Sequence, residues 1–272
     1  MSFKHIAVLM CVYKNDKFNY LKESINSILN QEGVVVKLYI FVDGYVDKDI
    51  IVLLNGFNKL ENVDINYSER NVGLASGLNW LLDNVVDFDN YKYVARMDAD
   101  DISRKDRFYE QSLKLSNSDI DVLGSDCIEI DGNNNESFYK KLPQGHDDLI
   151  CSIIKRCPFI HPSVMFKSSV FIDGYRYDSS LMNTQDYYLW VTLAKNGYKF
   201  GNINKPLIYF RVDSNFHKRR GFKKVLNEIR GRLWAMNELS MYSIKNLFFI
   251  FAYLVLRLSP SFVSQFAYKK LR

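Results

Sequence analysis

The segment Tyr93-Val94-Ala95-Arg96-Met97-Asp98-Ala99-Asp100-Asp101 places three carboxylates within four residues, directly after a short β-forming run. Like charges this close destabilise one another unless a cation neutralises them. Asp98 and Asp100 alternate by two, so we expect both on one side of an extended segment at the end of a strand. Such oxygens suit Mg²⁺ or Mn²⁺, usually shared with the phosphates of a substrate. The segment therefore predicts a divalent-metal site.

Two other interpretations of these carboxylates were tested against the sequence. An acidic turn before a helix, with Asp101 or Ser103 as the N-cap, fits equally well and stays open. A calcium-binding EF-hand loop beginning at Asp98 needs Gly at its sixth position and Glu at its twelfth. The sequence has Ser103 and Tyr109 there, which excludes the EF-hand.

Around this segment, apolar runs of strand length alternate with stretches of helical spacing. Strand-like runs cover 6–13 and 34–42, and apolar residues at helical spacing lie between them. Strand, helix and strand within about 40 residues form a βαβ unit, which is typical of a parallel sheet covered by helices. Ligands of such sheets lie beyond the carboxyl ends of the strands. The pattern predicts an α/β fold with a mostly parallel central sheet flanked by helices, and it places Asp43 and the residues after Val12 at the ligand-binding edge.

The rest of the chain gives weaker patterns. We expect further strands at 63–67, 120–130, 164–166 and 208–211, and helices at 74–85, at 105–115 and from Gln185 to near Gly197. Trp80 and Trp190 are expected in the core. No Gly-x-Gly-x-x-Gly follows the first strand and no Walker-type motif occurs. A nicotinamide or P-loop enzyme is therefore not expected, and a bound nucleotide would need a metal to hold its diphosphate.

The composition suits one large or two small globular domains, since 47% of the 272 residues are hydrophobic and 25% are charged. None of the four cysteines forms a Cys-x-x-Cys pair, so neither a zinc site nor a disulfide framework is indicated. Lys4 and His5 lead directly into the first strand, without the pattern of a signal peptide. These features predict a cytoplasmic protein.

The basic charge is concentrated at the C-terminal end. The range 218–272 holds 12 Lys or Arg and two acids, a net charge of +10, which leaves −5 for the preceding residues. Within it, 247–256 is nearly all apolar, although a spanning helix needs roughly 20 apolar residues. Flanked by Lys245 and Arg257, this stretch suits a helix lying in a membrane interface. Packing on the body of the protein, or on a second copy in a homodimer, is the alternative. Nucleic acid is not expected, because the basic residues alternate with large apolar surface.

Six segments of the chain form a recognisable series: 7–14, 42–44, 70–74, 97–101, 177–181 and 185–190. In this order and spacing they resemble inverting glycosyltransferases of family 2, which have the GT-A fold. The chain is more narrowly similar to bacterial transferases that extend sugar-diphosphate-undecaprenol in O-antigen assembly. The resemblance implies a GT-A domain over 1–215, with a nucleotide-sugar-binding part at 1–130 and an acceptor part at 131–215. A basic, amphipathic helical tail would follow over 216–272.

The resemblance also implies roles in binding the donor. Asp43 would hydrogen-bond the uracil or ribose of a UDP-sugar, with the backbone at Val12 and Tyr13 flanking the base. Asp98 and Asp100 stand where the DxD carboxylates of the family contact the ribose, the diphosphate and a Mn²⁺ or Mg²⁺ ion. The donor-binding residues implied are Val12, Tyr13, Asp43, Arg70, Asn71, Gly73, Asp98, Asp101 and Arg107, and the metal ligands are Asp100 and Asp98.

Asp186 falls at the position of the catalytic base of the family. A carboxylate within hydrogen-bond reach would remove the proton of an acceptor hydroxyl as it attacks. A single base on the face opposite the leaving group gives inversion in one displacement. The alternative is that Asp186 only caps the helix that follows it.

Some residues depart from the family pattern. Gln185 stands where the family usually has Glu before the base, and Tyr188 stands where it often has Asp. Asp213 replaces a His that follows the position of Arg211, so either Asp213 or His217 would take its place. His161 either contacts the acceptor or is a structural His before Pro162. Gln185, His161, Arg211, Asp213 and His217 are thus further candidates for the site.

The resemblance implies an enzyme that transfers a hexose, with glucose or galactose favoured, from a UDP-sugar to a lipid-linked N-acetylhexosamine diphosphate, through a β1,3 linkage. The basic, apolar tail predicts attachment to the inner face of the cytoplasmic membrane. The departures at Gln185 and Tyr188 leave open an inactive, membrane-attached protein that binds nucleotide-sugar or carbohydrate. A nucleotidyltransferase, which would release pyrophosphate from a nucleoside triphosphate, is a third alternative.

Overall fold

The structure is a computed structural model that describes residues 5–181, 183–212 and 222–259. The strands are β1 (His5–Val12), β2 (Val35–Asp43), β3 (Val63–Ser68), β4 (Tyr93–Arg96), β5 (Ile102–Ser103), β6 (Val122–Ile130), β7 (Glu136–Lys140), β8 (Met165–Lys167) and β9 (Phe200–Arg211). The helices are α1 (Phe18–Leu29), α2 (Lys48–Phe57), α3 (Leu74–Asn84), α4 (Arg107–Ser116), α5 (His146–Ser152), α6 (Ser169–Ile172), α7 (Gln185–Lys195), α8 (Phe222–Glu238) and α9 (Ile244–Leu258).

The first half of the sheet is parallel. Strands β3, β2, β1 and β4 lie side by side in that order, and each neighbouring pair is parallel. The apolar run of β1 is covered on both faces, because successive side chains of a strand point to opposite sides. Val8 lies in one hydrophobic cluster with Ile25 of α1, and Leu9 lies in another with Leu81 of α3. The predicted α/β fold is confirmed.

The second half of the sheet is mixed. β8 lies between β4 and β6 and is antiparallel to both, whereas β6 is parallel to β9. β5 and β7 add antiparallel pairs on β9 and β6. Among the described strands four pairs are therefore parallel and four antiparallel, so the sheet is less parallel than the sequence suggests. A run as short as β8 carries no signal of its direction, which depends on the connections before and after it.

Several elements differ from the sequence prediction. β9 has 12 residues instead of a short segment at 208–211, and its register shifts where it passes Ser125 and Asp126. α4 begins at Arg107 with Asp106 at the N-cap position, so neither Asp101 nor Ser103 caps it. The sequence patterns do not indicate helices α2, α5 and α6 or strands β5 and β7.

The two tryptophans predicted in the core differ in their burial. Trp190 is fully buried, as expected. Trp80 is 38% exposed and packs one face on Phe41, with ring centroids 5.6 Å apart, so that prediction is wrong. The buried positions of α3 include Leu78 and Leu81. Helical spacing turns Trp80 away from both of them, beyond the edge of the buried face.

The C-terminal helices pack on the sheet domain one after the other. α8 contacts α7, and α9 contacts α8. In α9, Ile250 is buried, whereas Leu247, Phe248, Phe251 and Val255 are more than half exposed. Among the described residues, no helix combines the length and apolar character needed to cross a membrane.

Candidate active site

A cavity of about 1170 Å³ opens at the carboxyl ends of the parallel strands. This is the edge at which the sequence places the ligand. The loops after β1, β3, β4 and β6 contribute to its wall, together with the ends of β2 and β9, the start of α3, and residues 179–181, 183 and 185. The cavity therefore joins the parallel half of the sheet to the later part of the chain.

An acidic cluster forms one wall of this cavity. Ligand oxygens of Asp98, Asp100 and Asp101 lie within 4.8 Å of one another. Asp98 and Asp100 line the cavity, and Asp101 is almost completely buried behind them. β4 ends at Arg96 and a turn covers residues 99 and 100, so the carboxylates are brought together by a turn. The expectation of an extended segment with alternating side chains is wrong.

The electrostatics of the cluster fit a divalent cation. Burial raises the pKa of Asp100 to about 6, with a further rise caused by the Asp98 carboxylate. Burial also raises the pKa of Asp101 well above its usual value, and Asp100 adds to the shift. Oδ1 of Asp101 accepts the backbone N–H of Arg211 at 2.7 Å, but its buried Oδ2 has no hydrogen-bond partner among the described residues. Three hard oxygen donors and an unpartnered buried carboxylate oxygen suit Mg²⁺ or Mn²⁺, whose charge would favour the ionised forms.

Two arginines hold the acidic cluster in place. Arg96 is buried and donates to the Asp98 carboxylate and to the carbonyl of Met97. Arg211 donates from Nε to the carbonyl of Asp100 at 2.8 Å and forms an ion pair with Glu23 of α1 at 2.9 Å. Arg211 thus fastens the acidic turn to the end of β9 and to α1. Asp213 and His217, which follow it in the chain, lie outside the described residues.

Asp43, at the end of β2, organises the neighbouring loop. Its Oδ1 accepts the N–H of Val72 at 2.6 Å, and its Oδ2 accepts the N–H of Gly73 at 3.0 Å and the side-chain amide of Asn71 at 2.9 Å. Gly44 has a φ of +80°, and a Cβ there would lie 2.8 Å from the backbone nitrogen of Asn71. Only glycine allows the two loops to approach this closely. Asp43, Asn71 and Gly73 all line the cavity.

The opposite wall is formed by the segment that leads into α7. Ser179, Ser180 and Gln185 line the cavity. Thr184 occupies the N-cap position of α7, so Asp186 lies in the first turn and is not the N-cap residue. Burial raises the pKa of Asp186, the backbone N–H of Tyr187 opposes this, and the charge of Asp98 adds to the rise. The charge of Asp98 thus contributes to the environment of Asp186, which directly follows the lining residue Gln185.

A side-chain bridge connects the two walls. The amide of Asn79 in α3 donates to the carbonyl of Tyr177 at 2.7 Å and accepts the N–H of the same residue at 3.0 Å. The Asn79 amide thus pairs with the backbone N–H and carbonyl of Tyr177, as a neighbouring strand would. These two hydrogen bonds hold Tyr177 against α3.

Comparisons with known proteins agree with this arrangement. The family described as Glycosyl transferase family 2 matches residues 7–174. This chain belongs to glycosyl transferase family 2. The resemblance seen in the sequence is thereby confirmed, and the protein is a glycosyltransferase.

Relatives extend over most of the chain. The glycosyltransferase is 28% identical over 269 residues to an Escherichia coli protein named UDP-Gal:alpha-D-GlcNAc-diphosphoundecaprenol beta-1,3-galactosyltransferase, covering 97% of this chain and 95% of that protein. It is 30% identical over 211 residues to an O-antigen biosynthesis glycosyltransferase of Escherichia coli, covering 76% of this chain and 79% of the relative. These relatives are similar to this chain in sequence, and their names describe their own activities.

Solved structures share the fold. A mannosyltransferase of Pyrobaculum calidifontis in complex with GDP-Man and Mn²⁺ gives a TM-score of 0.65 at 12% identity, covering 100% of this chain and 80% of that one. S. aureus TarS 1-349 in complex with UDP-GlcNAc gives a TM-score of 0.66 at 16% identity, covering 93% and 72%. The expected GT-A fold of the glycosyltransferase is confirmed.

Besides Asp101, which is buried behind the wall, five of the described candidate residues of the glycosyltransferase do not line the cavity. The first is Asp186, which directly follows the lining residue Gln185 in α7. The side chain of Val12 is buried in the core, and that of Arg70 is exposed to solvent. Arg107 is buried behind the acidic turn, where it donates to the carbonyl of Arg96 at 2.9 Å, and burial lowers its pKa to about 9. His161 is paired through Nε2 with the hydroxyl of Tyr177 at 3.0 Å, which favours its structural interpretation. Arg107 thus shapes the site from behind.

The sequence places the residues after Val12 at this edge, but it names only Tyr13 among them as a site residue. Asp16 and Lys17 of the loop after β1 and Tyr20 in the first turn of α1 also line the cavity. Oδ2 of Asp16 accepts the N–H of Tyr13 at 2.8 Å, and burial raises the pKa of Asp16 to about 7. Their place after a strand of the parallel half was the available signal, because such loops surround the ligand of an α/β sheet.

Proposed function

We propose that this glycosyltransferase transfers a hexose, with galactose or glucose favoured, from a UDP-sugar to a lipid-linked N-acetylhexosamine diphosphate. A β1,3 linkage formed with inversion is proposed, in O-antigen or related polysaccharide synthesis. The observation that carries the proposal is a single cavity lined both by Asp98 and Asp100 of the acidic cluster and by Gln185, the residue of α7 that directly precedes Asp186. The name of the E. coli galactosyltransferase supports the choice of donor and acceptor.

The proposed donor lies along the first wall. The uridine would contact Tyr13, Asp43 and the loop 71–73, and the diphosphate would lie beside Asp98 and Asp100. Asp43 retains acceptor capacity, because one of its carboxylate oxygens accepts a single described hydrogen bond. A cavity of about 1170 Å³ also exceeds the roughly 300–1,000 Å³ of most small-molecule sites, which leaves room for an acceptor sugar.

The proposed chemistry is a single displacement. A divalent cation held by Asp98 and Asp100 would stabilise the negative charge of the departing diphosphate. Asp186 accepts the proton of the acceptor hydroxyl while the oxygen forms its bond to C1 of the sugar and the bond from C1 to the diphosphate breaks. Arg96 and Arg211 keep the acidic turn fixed throughout. Attack from the face opposite the leaving group inverts C1.

A screen of UDP-sugars with a synthetic acetamido-sugar diphosphate lipid tests this function. We expect release of UDP from UDP-galactose or UDP-glucose that depends on the acceptor, together with a disaccharide lipid whose linkage is read by NMR. Tight UDP-sugar binding without turnover would instead support the inactive binding protein suggested by Gln185 and Tyr188. Pyrophosphate release from a nucleoside triphosphate would support the nucleotidyltransferase.

The proposed lipid-linked acceptor calls for contact with the inner face of the cytoplasmic membrane, and α9 offers a surface for it. Ile244, Leu247, Phe248, Phe251 and Val255 recur at helical spacing and form an exposed face, the apolar stripe. Lys245 and Arg257 flank the stripe, and the net charge of +10 over 218–272 complements anionic lipid. A lipid surface is therefore the proposed occupant, and a second copy of the chain is the competing one.

Phe248→Ser combined with Phe251→Ser should weaken binding to anionic vesicles by at least tenfold, since burial of each Phe contributes about 1.5–3 kcal/mol. Cosedimentation with phosphatidylglycerol vesicles measures this. Val52→Ser is the matched control, because Val52 is also exposed on a helix (70%) but lies in α2. Unchanged vesicle binding by the double variant would refute the role of the stripe. A lipid-independent dimer that the same variant dissociates would assign the stripe to a second copy.

A further inference from the structure

Helix α8 packs along α7, the helix that carries Asp186. The ring of Trp234 stacks on that of Tyr188, with centroids 4.3 Å apart and planes 15° apart. Gly231 lies so close that a Cβ there would be 3.2 Å from the Tyr188 ring. Near the other end of α7, Lys195 forms an ion pair with Glu238 at 2.6 Å. α8 therefore holds α7 close to both of its ends.

The first turn of α7 depends on such packing. Thr184 occupies the N-cap position but makes no side-chain capping hydrogen bond, so the turn lacks the usual local anchor. Tyr187 and Tyr188 directly follow Asp186 and provide two tertiary anchors. The Tyr187 hydroxyl donates to the carbonyl of Ile153 at 3.1 Å, and Tyr188 stacks on Trp234. The first turn of α7, which carries Asp186, is thus held from two sides.

α8 is also fastened to the helix that carries the apolar stripe. The Tyr253 hydroxyl of α9 donates to Glu228 of α8 at 2.7 Å, and Arg257 pairs with the same carboxylate at 3.1 Å. The guanidinium of Arg232 lies 4.3 Å from the ring centroid of Tyr253. A continuous series of packed contacts therefore connects the apolar stripe, through α8, to the first turn of α7.

We infer that α8 is a positioning element for the catalytic base, with Trp234 as its main positioning residue. By stacking on Tyr188, Trp234 fixes the first turn of α7 so that Asp186 meets the acceptor hydroxyl. The contacts of Glu228 and Arg232 with α9 also hold that helix on α8. The position of Asp186 relative to a lipid surface bound at the apolar stripe is therefore fixed, which suits an acceptor that is itself linked to lipid. The inference rests on the proposed function of Asp186 and of the stripe.

Trp234→Ala in the full chain tests the inference with a water-soluble, short-chain acceptor, which removes membrane binding from the measurement. We expect kcat to fall by about 10- to 100-fold, the effect of a small misplacement of a reacting group. UDP affinity should stay within about twofold, because none of the described residues of α8 lines the cavity. Trp234→Phe, which keeps an aromatic stack, should restore most of kcat. The control Leu233→Ala alters the neighbouring residue, which is 47% exposed, and should be neutral.

A structural role alone would lower the melting temperature of Trp234→Ala without changing kcat at a temperature where the variant is folded by circular dichroism. That result, or an equal loss of UDP affinity and kcat, overturns the inference. If Trp234→Ala does not fold, Tyr188→Leu removes the same stack from the α7 side and should give the same selective loss of kcat. Where both fold, their losses should be less than additive, because each removes one shared contact.

Asp186→Asn separates this inference from the function on which it rests. If Asp186→Asn transfers sugar normally, the proposed base is wrong, whatever Trp234→Ala does. If Asp186→Asn is inactive and Trp234→Ala retains a normal kcat, the base stands and only the positioning role of α8 fails.

Discussion

Asp100→Ala should lose most transferase activity while the protein stays folded, and EDTA should have the same effect on the wild type. The cluster would then keep Asp98, which is paired with Arg96, and Asp101, which lies buried behind the cavity wall. Two carboxylates so placed hold a divalent cation poorly. Loss of several kcal/mol of charge stabilisation at the departing diphosphate corresponds to at least about 100-fold in kcat.

Although Asp100→Ala should lose activity, its thermal stability without metal should equal or exceed that of the wild type. Burial raises the pKa of Asp100 to about 6, so its ionised form destabilises the fold. This penalty begins above the pKa of an unfolded aspartate and is complete above about pH 6. Without a divalent cation, Asp100→Ala should therefore melt at or above the wild-type temperature at pH 8, and the difference should vanish under acidic conditions.

Asp89→Ala is the matched control for Asp100→Ala, since Asp89 is solvent-exposed and lies outside the cavity wall. Transfer is measured as UDP release, and Mn²⁺ binding with and without UDP by electron paramagnetic resonance. We expect the control to bind Mn²⁺ together with UDP, and Asp100→Ala to bind it weakly. Full activity of the wild type in EDTA would rule out the proposed metal dependence.

Features of the fold that depend on local patterns were predictable. The parallel half follows from continuous apolar runs in β1 and β2, because a strand with no polar face must be covered on both sides. Asp43 comes directly after such a run, which predicts its position at the ligand-binding edge of the sheet. The acidic cluster is visible as three carboxylates within four residues, although a turn brings them together.

Features that depend on distant parts of the chain were not predictable in this way. The antiparallel insertion of β8 between β4 and β6 is decided by connections, and a strand of three residues does not encode it. The contacts of Arg211 with Asp100 and with Glu23 join residues 111 and 188 positions apart. Trp234 is an ordinary aromatic residue of a C-terminal helix in the sequence, and only the fold shows that it stacks on the residue two positions after Asp186.

Asp186→Asn should melt near the wild-type temperature, bind UDP and Mn²⁺ normally, and transfer almost no sugar. The carboxylate is the proposed acceptor of the proton from the attacking hydroxyl, and loss of a general base costs roughly 10²–10⁴-fold in rate. Asn is similar in size and also suits the first turn of a helix, so the packing of Tyr187 and Tyr188 should persist. Asp186 is not the N-cap residue of α7, so loss of a cap would not explain the result.

The pH dependence provides a second, independent measurement of the base. Burial raises the pKa of Asp186, so the active, ionised form should appear only above the usual range of an aspartate. Wild-type kcat should therefore rise with pH along an acidic limb that the residual activity of Asp186→Asn lacks. Asp178→Asn is the control. Asp178 lies in the segment before α7, and its carboxylate accepts hydrogen bonds from the backbone N–H and the hydroxyl of Ser180. Near-normal transfer by Asp186→Asn, together with loss of the acidic limb in Asp178→Asn, would transfer the role of base to Asp178.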